Sequence, residues 1–265
     1  MKPICKTLII FFSSAALLAA LYTGCKRQTE QQSRLTIKEG LLKVGVEIGY
    51  PPMEYYDTDG KTPIGFDIDL TRALADKLGL KVEYIDIDWE GILAGLDTNR
   101  YDIAVNITIL PERQNKYNFT KPYIYSFITI AGLKDSNFKI EKPEDIAGRS
   151  VCYQASTSAQ YFTERLNARG VNFTSYSYDK ILNCFNDLEL GRVDLLVSDN
   201  IAAMDYTEKE DSPFEIVWRD TAGESIGICL KKGNDALANA LNKALDELFE
   251  SGDTPRIYQK YSIVN

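Results

Sequence analysis

The apolar residues of the chain change period repeatedly, and those changes lay out its elements. Over 43–47 (KVGVE) they fall at every second position, which predicts a strand. Leu70, Leu74 and Leu78 then recur at every fourth, predicting a helix that Asp67 caps and Gly79 closes. A strand over 82–87, a short helix over 90–96 and a strand over 102–106 follow. The middle of the chain repeats the plan. Strands over 150–154, 172–176 and 194–198 alternate with helices over 158–169 and 179–190, stopped by Gly170 and Gly191. After a strand over 225–230 come a long amphipathic helix over 235–250 and a shorter one over 254–261. Strands alternating with helices of this length predict an α/β protein with mainly parallel sheets.

One segment occurs twice. Residues 96–105 (LDTNRYDIAV) and 188–197 (LELGRVDLLV) both read helix end, turn residue, arginine, aspartate, buried strand. They predict the same helix–turn–strand unit once in each of two lobes. Residues 41–125 with 224–265 form the first lobe and 133–217 the second, with crossings at 126–132 and 218–223. Two crossings constrain relative motion to a hinge, a geometry that suits closure around something small.

The start of the chain stands apart. Lys2 and Lys6 precede an apolar run from Leu8 to Leu21, too short to span a membrane, and small residues follow at 23–25. That order predicts a cleavable export signal over 1–24. The run Leu21-Tyr22-Thr23-Gly24-Cys25 resembles a bacterial lipobox, apart from Tyr22 where leucine is usual. The resemblance implies that Cys25 becomes the lipidated first residue of the mature protein, anchoring it at a membrane in the cell envelope, on its periplasmic side. Residues 26–36 (KRQTEQQSRLT) lack any apolar period, so 25–40 is expected to be a lipidated tether.

Charge and cysteine usage narrow the function classes. Loss of Lys2 and Lys6 takes the net charge from −8 to −10, which disfavours nucleic acid and anionic lipid surfaces as partners. Cys152, Cys184 and Cys229 each lie in an apolar stretch and are expected as buried thiols, although one pair has the option of oxidising in an exported protein. The chain has no histidine, which removes the commonest metal ligand and general base. No metal or cofactor is called for.

In open α/β sheets ligands bind beyond the carboxyl ends of the strands. That rule selects Glu47, Tyr50, Trp89, Asn106, Thr108 and Arg113 from the first lobe, and 154–158 with Ser198 and Asp199 from the second. This set suits a free amino acid. Arg113, Thr108 and the helix start at 156–158 supply donors for a carboxylate, and Asp199 supplies a carboxylate for an ammonium. Tyr50 and Trp89 can sandwich the side chain and exclude water.

The order of these motifs is more selective than any one of them. Glu47-x-x-Tyr50-Pro51-Pro52-Met53-Glu54, Gly65-Phe66-Asp67-Ile68-Asp69-Leu70, Asn106-Ile107-Thr108 with Pro111-Glu112-Arg113, residues 117–125 (YNFTKPYIY), Gln154-Ala155-Ser156-Thr157 and Ser198-Asp199 together resemble the polar-amino-acid family of periplasmic solute-binding proteins. The resemblance covers roughly residues 41 to 262. It implies the two-lobed Venus-flytrap fold (type II), hinge closure, and delivery of a free L-amino acid by a monomer to the permease of an ABC importer. It further implies that Arg113 holds the ligand carboxylate and Asp199 its ammonium. Thr108 and Thr157 would add hydroxyl or backbone donors, Asn106 a backbone carbonyl, and Tyr50 and Trp89 the side-chain clamp. Leu110 and Ala155 depart from the family, where threonine and glycine are common; the second is expected to restrict the loop that approaches the carboxylate.

Glu47 stands at a strand end, where acidic residues of relatives that bind arginine or lysine contact the distal cation. An acid beside two aromatics favours a cationic side chain, so arginine or lysine is expected, with glutamine, histidine or another polar amino acid as the alternative. An enzyme resembling the dehydratase on this scaffold would have only Glu47 as an obvious acid or base, and a ligand-sensing or adhesin lipoprotein is a further reading. Asp67 and Asp69 superficially resemble paired catalytic carboxylates, but capping and dipole complementarity explain them more simply. The run 57–60 is expected to be a hairpin turn rather than a phosphate or calcium loop.

Overall fold

The computed structural model describes residues 35–263. The export signal, Cys25 and most of the expected tether lie outside the described residues. The end of that tether is fastened down: Thr36 is buried, and the Ile37 N–H donates to Asp102 Oδ1 at 2.6 Å.

Two sheets organise the chain. The first contains β1 (Leu41–Val46), β4 (Lys81–Asp86), β5 (Ile103–Thr108), β6 (Tyr117–Phe119), β7 (Ile124–Ser126) and β13 (Glu224–Lys231), in the order β4-β1-β5-β13-β6, with β7 also on β13. The second contains β8 (Ile128–Leu133), β9 (Ser150–Gln154), β10 (Thr174–Tyr178), β11 (Leu195–Asp199) and β12 (Phe214–Arg219), in the order β10-β9-β11-β8-β12. A small hairpin, β2 (Tyr55–Tyr56) with β3 (Pro63–Ile64), encloses the expected turn at 57–60.

The expected parallel pairings are present, β1 with β4 and β5, and β9 with β10 and β11. Antiparallel ones are added around β8 and β13, so both sheets are mixed rather than mainly parallel. The reason is the route of the chain. Strands that carry it from one sheet to the other, or back, enter against the direction of the βαβ units.

The first crossing is short. β7 ends at Ser126 in one sheet and β8 begins at Ile128 in the other, so residues 128–132, expected within the crossing, are strand. Phe127 between them exchanges hydrogen bonds with Asn200 and lies under the Arg219 guanidinium at 3.9 Å. The return runs from Arg219 to Glu224.

Helix α1 (Phe66–Leu78) buries Phe66, Ile68, Leu70 and Leu74 against the first sheet, with α7 (Asp235–Glu250) and α8 (Asp253–Lys260) beside it. Its cap is not Asp67. Gly65 takes that position at φ +129°, where a Cβ would lie 2.2 Å from the Met53 carbonyl oxygen. Only glycine fits there, and Asp67 falls inside the first turn, fully buried.

The repeated segment is one structural unit used twice. α2 (Ile92–Asp97) leads into β5, and α5 (Ile181–Glu189) into β11. Asp102 accepts from the Lys43 N–H at 2.8 Å and gives its own N–H to the Lys43 carbonyl at 3.0 Å. Asp194 does the same with Ser150, at 2.7 and 3.0 Å. In each lobe the aspartate pins the start of the neighbouring strand, β1 or β9.

Candidate functional site

The carboxyl ends of β1, β5, β9 and β11 converge between the lobes. All eight residues selected from sequence lie there: Glu47, Tyr50, Trp89, Asn106, Thr108, Thr157 and Asp199 line one cleft, and Arg113 sits behind Thr108 and Trp89. The lobes meet across it. Tyr50 Oη donates to Asp199 Oδ1 at 2.6 Å, and Arg113 Nη2 donates to the Ser156 carbonyl at 2.8 Å.

Arg113 comes from α3 (Pro111–Gln114), which Pro111 starts, and is 4 % exposed. Its Nη1 donates to the Thr108 carbonyl at 3.0 Å, and its guanidinium lies 5.7 Å from the Trp89 ring centre. Both carbonyl acceptors are neutral, its Nε is buried without a partner, and burial pushes its pKa down. Asp199 ends β11 and caps α6 (Asn200–Thr207), accepting from the Ala202 N–H at 2.9 Å. Enclosure raises its pKa, against the hydrogen bond from Tyr50. An anion that lines the cleft and a cation just behind its wall thus come from opposite lobes, each bonded only to neutral groups among the described residues.

Backbone geometry prepares the rest. Asn106 has φ +58°, a left-handed conformation that asparagine tolerates better than most residues. The β5–β13 register slips there, with Val105 and Asn106 standing between the pairs Ala104–Cys229 and Ile107–Gly227. Such a bulge re-aims a residue out of its ladder. Tyr123 Oη accepts from the Asn106 N–H at 2.8 Å, and Asn106 Nδ2 donates to Glu54 Oε1 at 3.2 Å.

Thr157 precedes α4 (Ser158–Ala168), and its hydroxyl donates to the Gln154 carbonyl at 2.7 Å. That leaves backbone N–H groups at this helix start as the donors toward the cleft. Ala155 does not restrict the loop as expected, because the left-handed position is Ser156, at φ +61°.

Glu47 departs from expectation most. It is 7 % exposed and already bound by three donors: Lys180 Nζ at 2.8 Å, Gln154 Nε2 at 3.1 Å and the Trp89 N–H at 3.3 Å. Lys180 also pairs with Asp88 at 2.8 Å. The acid expected to meet a cationic ligand therefore carries a lysine from the other lobe.

Sequence reasoning missed Lys180 and gave Glu54 no role, and it placed Gln154 at the cleft without foreseeing its bond to Glu47. Lys180 follows the carboxyl end of β10, so the strand-end rule selects it once β10 ends at Tyr178 rather than 176. Glu54 lines the cleft and lies buried against Asp67. Burial raises both carboxyls; Asp67 reaches about 7, with the neighbouring Tyr123 and Glu54 side chains opposing the rise. Asp67 is thus half of a buried acid pair beneath the cleft, which capping does not explain.

The fold has known counterparts. The chain is 32% identical over 227 residues to the L-cystine-binding protein TcyJ of Escherichia coli (strain K12), covering 85% of this chain and 84% of that protein. An ancestral arginine-binding protein bound to arginine superimposes with a TM-score of 0.79 at 34% identity, over 84% of this chain and 98% of the other. The ancestral amino acid-binding protein AncCDT-1, a precursor of cyclohexadienyl dehydratase, gives 0.77 at 31%, over 85% and 96%. Residues 42–263 match the bacterial extracellular solute-binding proteins, family 3. With two lobes, two crossings and an interlobe cleft in place, this chain belongs to that family of extracellular and periplasmic amino-acid-binding proteins of ABC transporters.

Proposed function

We propose that the protein, held at the membrane by lipid on Cys25, captures one free L-amino acid as a monomer and delivers it to an ABC importer. One observation carries the reading: Arg113 and Asp199 present opposite charges from opposite lobes, each bonded only to neutral groups among the described residues. An α-carboxylate completes the first and an α-ammonium the second. Neither charge is met in full until the lobes close on a zwitterion. Tyr50 and Trp89 flank the space between, the Asn106 carbonyl assists the ammonium, and Thr108 with the N–H groups at Thr157 assists the carboxylate.

The preference for arginine or lysine rests on a Glu47 available to a cation. Lys180 neutralises that acid, which removes the electrostatic ground for favouring a basic side chain over glutamine, histidine or cystine. The relatives support a long polar ligand, since one is named for L-cystine and another holds arginine. A dehydratase reading is weaker, because Glu47, the acid it would use, is already bound by three donors.

Calorimetric titration with L-arginine, L-lysine, L-histidine, L-glutamine and L-cystine tests the reading. Binding of at least one, at one ligand per chain, is expected; no binding of any contradicts it. For the anchor, cell fractionation is expected to find the protein with membranes and Cys25→Ala free of them. An equal distribution of the two contradicts lipidation.

A further inference from the structure

The ammonium end of the cleft rests on a mount that Arg113 and Asp199 do not form. Asn106, whose carbonyl is the proposed partner of the ligand ammonium, is held at two points. Its side-chain amide donates to Glu54 Oε1 at 3.2 Å, and its N–H donates to the Tyr123 hydroxyl at 2.8 Å. Tyr123 in turn lies against Asp67. Each hold therefore leads to a carboxyl group, and the two carboxyls meet. The Asp67 N–H donates to the Met53 carbonyl at 3.0 Å, which sets the start of α1 on the residue before Glu54 and brings the acids together. Glu54 lines the cleft beside Tyr50, Asn106 and Asp199, while Asp67 is fully buried beneath it.

Charge decides what such a pair can do. Two carboxyls enclosed side by side do not both ionise, so between them they keep a proton. Among the described residues the groups that face them bring no cation: Tyr50 and Glu47 face Glu54, and Tyr84, Tyr123 and Tyr258 face Asp67. Lys180 is paired with Glu47 and Asp88, and Arg72 lies over Tyr84. A ligand ammonium on the Asn106 carbonyl supplies the cation that this pair lacks. A positive charge there favours the doubly ionised pair, as an opposite charge does for any carboxyl.

We propose that Glu54 and Asp67 are positioning residues for the ammonium subsite, acting through Asn106, and that ligand binding expels the proton they share. The ligand keeps its ammonium protons, the pair loses one proton to the buffer, and the new negative charge faces the ligand's positive one. The inference deepens the amino-acid reading above and rests on it. By linkage, a site that sheds a proton on binding grips more tightly as pH rises and lets go more easily in acid. With Asp67 at about 7, that change falls between about pH 6 and pH 8.

The test titrates L-arginine, L-lysine, L-glutamine and L-cystine calorimetrically at pH 7 in phosphate and in Tris, buffers whose ionisation enthalpies differ widely. The difference in apparent heat counts the protons released. For each ligand that binds, the wild-type chain is expected to release roughly half a proton at pH 7 and to bind severalfold tighter at pH 8 than at pH 6. In Asp67→Asn and Glu54→Gln an amide replaces one acid and donates to the other. Release is then expected to fall near zero, and affinity to become flat across that range. Buffer-independent heats in the wild-type chain would overturn the inference and leave the amino-acid reading standing. Wild-type release retained by both variants would overturn it too, since the proton would then come from another group such as Asp199. A variant that binds more weakly with its proton release intact has lost only structure, which also counts against the inference. If the wild-type chain binds none of the panel above, the amino-acid reading itself fails and takes this inference with it.

Discussion

Arg113 and Asp199 carry the account at the level of single residues. Both are enclosed, and enclosure works against each charge: it lowers the pKa of the arginine and raises that of the aspartate. A ligand that supplies the opposite charge to each relieves both penalties, whereas removing either residue strands one end of the ligand. Arg113→Ala and Asp199→Ala are each expected to cost ~2–5 kcal/mol of binding, or roughly thirtyfold to several thousandfold in affinity, by calorimetry. Near-native affinity in either variant would contradict the assignment. The buried acid pair makes a separate prediction about pH. Asp67 stands at about 7 in the folded chain against an ordinary 3.8, and Glu54 is raised as well. For groups raised by folding, the stability they contribute is complete below the unfolded value and is lost as pH rises through the folded one. Thermal midpoints are therefore expected to fall more between pH 4 and pH 8 for the wild-type chain than for Asp67→Asn. Parallel profiles would show that the pair is not the titrating element.

Among the elements, the duplicated helix–turn–strand unit is the firmest. Asp102 accepts from the Ile37 and Lys43 N–H groups, and Asp194 from the N–H and hydroxyl of Ser150. Two charge-assisted bonds of this kind at a strand start contribute about 3–6 kcal/mol together. Asp102→Ala and Asp194→Ala are each expected to lower the urea midpoint by a corresponding amount; an unchanged midpoint would reduce the repeat to coincidence. This unit was legible in sequence because a turn residue, an arginine and a buried aspartate recur at fixed spacing. The strand-end rule likewise selected Arg113 and Asp199 without reference to packing. What escaped it has physical causes. Residues 128–132 are a continuous apolar run, which periodicity cannot assign to strand or crossing. β10 lies two residues later than its pattern suggests, because its side chains are mostly exposed and give no alternation; that hid Lys180. Glu54 and Asp67 meet only in three dimensions, through a turn and a helix start.

Across the whole molecule, the proposed function makes closure the functional coordinate. Among the described residues, the bonds that already span the cleft include Tyr50 to Asp199, Arg113 to Ser156, Gln154 to Glu47, and Lys180 to Glu47 and Asp88. An ion pair with a partly exposed member, such as Lys180 with Glu47, contributes little. In the proposed function the main driving force for closure is therefore left to the ligand, which would neutralise Arg113 and Asp199 together and would need both α-groups at once. Removing either charge from the ligand ought to forfeit most of that force. Calorimetry of the tightest-binding L-amino acid beside its α-amide and its N-acetyl derivative measures this directly. The account predicts strong binding of the free amino acid and a loss of at least about thirtyfold for each blocked form; equal binding of all three would contradict it.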